Sequence, residues 1–366
     1  MRGSFRIAKI FGIPVELHWT FALLFLWIIY IGYGNGDHWR DTLWNILFVI
    51  SLFVCVVLHE FGHALTARKF GVQTRDIILS PIGGIARLDR LPEKPFQEFL
   101  VAAAGPAVNV VIALLLSPYF FISEEGKWFW NEIIAGRSIG EGLPFLGGLI
   151  FLNIVLAVFN LLPAFPMDGG RILRALLAIR MGRTKATRIA SLIGQGIAVL
   201  LVIYAITSGS IWTAFIGIFV FLTAGQEYQA TKTDALLAAH ATVEITRANF
   251  TKLSPSNTMF AAASILRQGL ERSFLIFDEV TGQLTGSLSE NSIVHAIKTN
   301  ALDAPVEAFM QPDPPRVFAG DSIKETYELL YRSPHDILPV YNIENELIGV
   351  TDLAMLNHFL VLQKKL

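Results

Sequence analysis

The sequence predicts a mainly α-helical membrane protein, with six transmembrane helices and a short re-entrant β segment, followed by a soluble α/β domain. Hydrophobic residues make up 53% of the 366 positions and charged residues only 16%, whereas soluble chains carry about 25% charged residues. Charge also separates along the chain, because residues 1–233 carry a net charge of +5 and residues 234–366 a net charge of −6. A wholly soluble protein is therefore excluded. A disulfide scaffold is excluded as well, because Cys55 is the only cysteine.

Six stretches approach the roughly 20 apolar residues that a helix needs to cross a bilayer; they are 14–33, 43–66, 99–122, 143–165, 189–208 and 211–229. Lys and Arg concentrate ahead of the first stretch, between the second and third, and between the fourth and fifth. The opposite loops carry only Arg40, Lys127 and Arg137. The positive-inside rule therefore predicts a multi-pass protein with both termini in the cytosol. The plasma (inner) membrane of a bacterium is the natural setting, and an organelle membrane of bacterial ancestry is the alternative.

Residues 72–91 are apolar but are not expected to form a span, because Pro81 and the pair Gly83 and Gly84 break a helix. We expect short strands or a re-entrant hairpin here. Such a segment is tolerated at membrane depth only when it is buried against protein or lines a water-filled cavity. An interfacial loop on the lipid headgroups is the alternative.

His59, Glu60 and His63 lie at the end of the second apolar stretch. Positions i and i+4 of a helix share a face, so the two imidazoles can bind one metal ion. Glu60 can then reach a water molecule at that ion without being a ligand itself. The alternative is a pair of interfacial histidines at a helix end. The cost of placing two His and a Glu beside a long apolar run in lipid argues against it.

Asp168 is the candidate for a third ligand, because a catalytic zinc ion usually takes three protein ligands and keeps one position open. The second and fourth stretches run in the same direction through the membrane. His63 and Asp168 are therefore expected near the cytosolic ends of parallel helices. Gly169 and Gly170 let the backbone pass close to a bulky site. Capping of the following helix is the alternative role of Asp168, and it is compatible with metal binding.

Two other polar features are expected to be structural. Gly105 and Asn109 are expected to allow close packing of the third stretch and an interhelical hydrogen bond. Residues 171–180, which include Arg174, are expected to form an amphipathic helix at the cytosolic surface.

Together these motifs resemble the site-2 protease family of intramembrane zinc metalloproteases. The resemblance covers about residues 5–230 and rests on the pattern His59 to His63, on residues 105–109, and on the loop from Asn160 to Gly170; residues 80–86 are similar to the re-entrant segment of that family. It implies a metalloprotease domain over residues 1–232. It also implies one zinc ion held by His59, His63 and Asp168, Glu60 as catalytic acid/base, and Asn160 as a group that helps to hold the substrate.

The expected substrate is a single-span membrane protein cleaved within the bilayer. A substrate helix hides its carbonyl groups in its own hydrogen bonds, so it must unwind first. A strand edge within residues 76–90, which include Gly83 and Gly84, is expected to bind the unwound chain by strand addition. The side-chain amide of Asn160 is expected to add a donor. We therefore hypothesise that helix-breaking residues in the substrate determine the cleavage site.

Residues 240–366 contain an internal repeat with a β–α–β–β–α order, and Gly286 and Gly349 mark equivalent positions 63 residues apart. The repeat resembles a tandem pair of cystathionine-β-synthase (CBS) domains, at approximately 240–302 and 303–366. Such pairs often bind adenine nucleotides, which implies a nucleotide site at Thr351 and Asp352. The spacing of those two residues departs from the usual signature. The alternative is a purely structural pair or one that forms a homodimer.

Two other functions compete with the protease. A CBS-regulated divalent-metal transporter also places His, Glu and Asp inside spans, but here the outer halves of the stretches carry few candidate ligands. An inactive membrane scaffold would leave the complete metal set unused. The net charge of −1 gives no reason to expect nucleic-acid binding.

Overall fold

The computed structural model describes residues 3–36, 38–81, 83–89, 92, 94–134, 144–269 and 271–363. Several features of the sequence analysis lie outside these residues, namely Arg137, the first residue of the fourth expected span, one residue within 80–86, and the last three residues of the chain. The described chain divides into two compact units, Met1–Thr231 and Lys232–Leu366.

The first unit is mainly helical and begins with strands. Its elements in chain order are β1 Ser4–Ile10, β2 Ile13–His18, α1 Phe21–Asn35, α2 Trp39–Lys69, β3 Thr74–Ser80, β4 Gly83–Leu88, α3 Pro95–Leu116, α4 Tyr119–Ile122, α5 Glu124–Ile134, α6 Phe145–Leu161, α7 Asp168–Met181, α8 Arg183–Ser208 and α9 Ile211–Ala239.

A four-stranded sheet in the order β1-β2-β3-β4 opens this unit. The strands expected within residues 72–91 are present as β3 and β4, which form an antiparallel hairpin. The expected first span, in contrast, is wrong at residues 14–18, which belong to β2 and pair with β1 and β3. The reason is that Ile13 and Val15 alternate with more exposed neighbours and pack in one cluster with Phe61 on α2, as a strand buried on one face requires.

Four helices among the described residues are long and apolar enough to cross a membrane, and they cover Trp39–Lys69, Pro95–Ile122, Arg183–Ser208 and Ile211–Ala239. The prediction of six spans is not confirmed, because α1 and α6 are apolar but have 15 and 17 residues. Such helices extend about 22–26 Å, against about 30 Å of hydrocarbon core. The β hairpin takes the residues ahead of α1, and Pro163 and Pro166 prevent α6 from continuing.

Helix α3 lies at the centre of the first unit, where it packs against α2, α6 and α7. The approach to α2 is close: a Cβ atom at Gly62 would lie 2.7 Å from the carbonyl oxygen of Ala104 on α3. Small residues at such a crossing let two backbones come together. This packing brings the end of α2 and the start of α7 together beside the same stretch of α3.

The second unit contains two similar α/β halves. Its elements are β5 Lys252–Leu253, α10 Met259–Arg267, β6 Phe274–Phe277, β7 Leu284–Leu288, α11 Glu290–Lys298, β8 Gln311–Pro312, β9 Val317–Phe318, α12 Ile323–Arg332, β10 Ile337–Tyr341, β11 Leu347–Asp352 and α13 Leu353–Gln363. In each half, two parallel strands flank a helix and an antiparallel partner follows. The strand pairs expected from the repeat are therefore present. Leu275, Ile337 and Val350 form one buried cluster that joins the two halves.

Candidate active site

His59, His63 and Asp168 meet at one point in the first unit. The two histidines lie one turn apart on α2, and Asp168 is the first residue of α7. The Nε2 atoms of the histidines are 3.1 Å apart, and the Oδ2 atom of Asp168 lies 3.3 Å from His59 Nε2 and 3.2 Å from His63 Nε2. Two ligand atoms of a tetrahedral zinc ion, each bonded at about 2.0–2.1 Å, are about 3.3 Å apart. The three buried donors therefore fit a zinc ion in both chemistry and spacing.

Both histidine rings are oriented by hydrogen bonds to α3. The Nδ1 atom of His59 lies 2.9 Å from the Oδ1 atom of Asn109, and Nδ1 of His63 lies 2.7 Å from the carbonyl oxygen of Val101. Because both partners are acceptors, each Nδ1 carries the proton and donates it. The lone pair of each Nε2 is then free for a metal. The interhelical hydrogen bond expected of Asn109 thus has a candidate metal ligand as its partner.

Glycines make room for this arrangement. A Cβ atom at Gly105 on α3 would lie 2.2 Å from His63 Nε2 and 2.7 Å from His59 Nε2. A Cβ atom at Gly169 would lie 2.2 Å from the carbonyl oxygen of Leu162. Neither position has space for a side chain. Gly105 therefore keeps α3 clear of the donor atoms, and Gly169 lets the start of α7 pack against the end of α6.

Glu60 lies beside the three donors of the candidate metal site and contacts the edge of the sheet. Its Oε2 atom accepts a hydrogen bond of 2.9 Å from the backbone N–H of Ala86 on β4, which is an edge strand. A Cβ atom at Gly84 would lie 3.0 Å from Cγ of Glu60, so β4 passes close to this carboxylate. Gly83 has a φ of 142°, a backbone conformation that favours glycine. The expected edge-strand residues are thus next to the expected acid/base.

Three other residues with expected binding roles are Asn160, for the substrate, and Thr351 and Asp352, for a nucleotide. Asn160 is partly buried in the last turn of α6, and no hydrogen bond within the described part of the chain joins its side chain to the three donors of the candidate metal site. In the second unit, Thr351 is fully buried and Asp352 caps α13 by accepting the N–H of Met355 at 2.9 Å. Of these two, Asp352 lines a cavity of about 640 Å³.

This cavity has an acidic lining. Five carboxylates and two arginines contribute to it: Glu244, Glu271, Glu290, Asp336, Asp352, Arg247 and Arg272. The pKa of Asp336 is raised, first by burial and then by the nearby charge of Glu290. The arginines face two of the carboxylates, with 3.4 Å between Arg247 and Glu271 and 3.9 Å between Arg272 and Glu290.

Arg174 does not lie at the surface, and the prediction that it belongs to an amphipathic surface helix is wrong. Its side chain is completely buried and forms ion pairs with Glu98 on α3 and Glu227 on α9. The three residues are distant in sequence, and an arginine at helical spacing from other arginines is typical of an interfacial helix. The sequence did contain one indication of these ion pairs. Glu98 and Glu227 are carboxylates inside or beside apolar helices, where a charged group usually has a partner.

Family models of known proteins match parts of both units. The family model of peptidase family M50 matches residues 47–129 and 132–204. The family model of the CBS domain matches residues 306–358. The first match contains both histidines and Asp168, and the second contains the second half of the internal repeat.

Two relatives and one solved structure are similar over much of the chain. A zinc metalloprotease of Methanocaldococcus jannaschii is 39% identical over 236 residues, which are 64% of this chain and 64% of the relative, just under two thirds of its length. A Synechocystis protein with the provisional name of zinc metalloprotease is 28% identical over 97% of this chain and 94% of its own. The solved structure of the site-2 protease from M. jannaschii shares 38% identity, covers 62% of this chain and 95% of that one, and has a TM-score of 0.43.

Proposed function

We propose that this chain is a member of peptidase family M50 and an intramembrane zinc protease that hydrolyses peptide bonds in or near the transmembrane segment of single-span membrane proteins. The observation that carries the proposal is the set of three donor atoms within 3.3 Å of one another, with Glu60 next to them on α2. The alternative of a divalent-metal transporter has no support, because the relatives of this chain carry protease names.

His59, His63 and Asp168 would hold one zinc ion, and Glu60 would serve as acid and base. The ion, when bound, polarises the scissile carbonyl group and lowers the pKa of water to about 7. Glu60 takes one proton from the attacking water molecule and delivers it to the leaving amine. Hydrolysis thus consumes one water molecule and returns the carboxylate to its starting state.

The substrate must present an unwound backbone to this carboxylate. Edge strand β4 supports such a role, because the N–H of Ala86 already bonds to Glu60 and a chain added along this edge would lie beside the catalytic group. Gly83 and Gly84 have no side chains that would obstruct its approach. We assign Asn160 the role of an additional donor to the substrate backbone.

The decisive experiment compares the wild type with Glu60→Gln, both purified in detergent and supplied with a panel of single-span substrates. We expect Glu60→Gln to retain bound zinc and to lose about 10²- to 10⁴-fold in cleavage rate, the range for acid–base catalysis. Glu124→Gln, an exposed carboxylate in α5, is the matched control. Cleavage at the wild-type rate by Glu60→Gln contradicts the proposal, and so does zinc flux into liposomes that depends on Glu60.

The hypothesis about substrate choice has its own test. Leu in place of Gly or Pro at the helix-breaking positions of a substrate should slow cleavage, because the unwound state becomes rarer. Leu at a position remote from the cleavage site is the control. If both substitutions leave the rate unchanged, unwinding does not determine the site of cleavage.

We further propose that an adenine nucleotide binds to the CBS-like unit at the cavity that Asp352 lines and modulates the protease. Isothermal titration of the full-length protein with ATP, ADP and AMP tests this proposal. Asp352→Asn, which keeps an oxygen to cap α13, should weaken binding of the nucleotide. Absence of heat with all three nucleotides would leave a structural or dimer-forming unit, and sedimentation of the protein in detergent would then test for the dimer.

A further inference from the structure

A buried ionic cluster ties three helices of the first unit together. Arg174 on α7 is 0% exposed and Glu98 on α3 is 4% exposed. The Nε and Nη2 atoms of Arg174 both donate to Oε1 of Glu98, the first over 2.7 Å, and Nη1 donates to Oε1 of Glu227 on α9 over 2.5 Å. The guanidinium carbon also lies 5.1 Å from the ring centre of Phe165. The guanidinium group therefore contacts two carboxylates and one aromatic ring.

This cluster connects the two helices on which the metal site depends. Helix α3 supplies the acceptors for both histidine rings, Val101 and Asn109, and Glu98 lies one turn before Val101. Helix α7 begins at Asp168, and Arg174 lies in its second turn. The distance between α3 and α7 therefore determines the distance between the carboxylate of Asp168 and the two imidazoles.

The loop that leads into Asp168 is held by the same group of residues. Phe165, which lies beneath the guanidinium, is 1% exposed and packs with Ala190 on α8 and Ala224 on α9. Cavities in a tightly packed interior relax only in part, so a change at Arg174 would be transmitted to this loop. The cluster constrains Asp168 from both ends, through the loop before it and the helix after it.

We infer that Arg174 is a positioning residue for the metal centre, and that the Glu98–Arg174–Glu227 cluster holds Asp168 at bonding distance from a zinc ion bound by His59 and His63. The inference rests on the proposed zinc site. An arginine suits this role because its planar fork of donors can bridge two carboxylates in fixed directions, whereas lysine is a point charge on a flexible chain. Loss of a group that hydrogen-bonds directly to a metal ligand costs about 10–100-fold in metal affinity, and this cluster acts on the ligands through α3 and α7.

The test measures zinc affinity of the full-length protein in detergent by competition with a chelator. Arg174→Met should bind zinc at least 10-fold more weakly than the wild type, and its cleavage activity should recover as free zinc is raised. Arg174→Lys should lie between the two. Arg180→Met, which changes an exposed arginine on the same helix, is the matched control and should bind zinc as the wild type does.

A second variant separates positioning from mere stability, because Arg174→Met alone removes the arginine partner of the buried carboxylate of Glu98 and of the half-buried carboxylate of Glu227. The triple variant Glu98→Leu, Arg174→Met and Glu227→Leu removes all three charges, a replacement that is often neutral or stabilising. We expect it to unfold near the wild-type temperature and still to bind zinc at least 10-fold more weakly, with an altered absorption spectrum when Co²⁺ replaces zinc.

The outcomes distinguish this inference from the proposed function. A triple variant that binds zinc within twofold of the wild type overturns the positioning role, as does an Arg174→Lys variant with wild-type affinity. A wild-type protein that binds no stoichiometric zinc contradicts the proposed function itself.

Discussion

Gly105 is the residue at which the candidate site tolerates the least change. A Cβ atom there would lie 2.2 Å from His63 Nε2, so Gly105→Ala must displace a donor atom. We expect the zinc affinity of Gly105→Ala to fall by about 100-fold or more, above the range for supporting residues. The free energy of unfolding of the zinc-free protein should change by less than about 2 kcal/mol, because overpacking is offset in part by the helix propensity of alanine.

Gly196→Ala is the control for this prediction. Gly196 also lies within a helix, α8, but a Cβ atom there would meet no atom within 4 Å. Zinc affinity should be unchanged, and stability should rise by about 1 kcal/mol or less. Equal zinc affinity in the two variants, measured by chelator competition, would show that Gly105 does not border the donor atoms.

Asn109 allows a test of the hydrogen bond behind the metal ligand. Asn109→Ala removes the acceptor of the His59 Nδ1–H group and should weaken zinc binding by about 10–100-fold. Asn109→Asp keeps an acceptor for the His59 Nδ1–H group. It breaks no hydrogen bond, because the Nδ2 atom of Asn109 has no partner among the described residues. We expect Asn109→Asp to bind zinc at least as tightly as the wild type in the same competition assay.

The matched control is Asn153→Ala, which removes a buried asparagine of α6 whose Nδ2 atom donates to the carbonyl oxygen of Leu149. It should leave zinc affinity within about twofold of the wild type. If Asn109→Ala also does so, the His59–Asn109 bond does not orient the ligand.

Local spacing made part of the site readable from the sequence. The i, i+4 relation of His59 and His63 follows from helix geometry alone, and the shared direction of two apolar stretches brought Asp168 into consideration. The partners of Arg174 and Asn109 lie on helices distant in the sequence. Such pairs depend on how α3 packs against its neighbours, which no single segment specifies.

Strand β4 is the element at which the proposed catalytic group and the proposed substrate-binding edge meet. Ala86→Pro removes the N–H group that donates to Glu60 and should be tolerated, because an outward-facing N–H of an edge strand is a position where proline occurs. We expect the cleavage rate to fall by about 10-fold, since a hydrogen bond from this N–H group to a charged acceptor contributes a net free energy of about 1–2 kcal/mol. Zinc affinity should stay within twofold of the wild type.

Ala86→Gly preserves the N–H group and is the control, so its cleavage rate should remain close to that of the wild type. Ala86→Pro with full cleavage activity would show that neither Glu60 nor the substrate needs this donor.

The N-terminal hairpin shows why element boundaries escaped the sequence analysis. Residues 13–18 are mostly apolar and precede an apolar helix, so a count of hydrophobic residues merges them with α1. Their pairing with β3 joins segments about 60 residues apart in the sequence. Hydrophobic period alone does not separate a short buried strand from the first turn of a helix.

Two observations disagree about how the whole molecule is arranged in the membrane. Positive residues in alternate loops favour six crossings, whereas only four helices of the described residues are long enough to cross. The two observations differ only for α1 and α6. Whether each of these helices crosses the membrane determines on which side its flanking residues lie. If α6 does not cross, Lys185 at the start of α8 lies on the opposite side of the membrane from Lys69 at the end of α2. If α1 does not cross, Lys9 lies on the opposite side of the membrane from Lys69.

Cysteine labelling resolves this disagreement, because Cys55 is the only cysteine and Cys55→Ser provides a background without reactive thiols. Exposed lysines offer four probes, made as single substitutions to cysteine at Lys9, Lys69, Lys127 and Lys185. We expect a membrane-impermeant maleimide to label Lys127→Cys from outside intact cells and the other three only after the cytosol is opened. Outside labelling of Lys185→Cys would remove α6 from the spans, and outside labelling of Lys9→Cys would remove α1. The expected meeting of Asp168 with the two histidines assumed that α2 and α6 cross the membrane in the same direction, so this labelling pattern also tests that assumption.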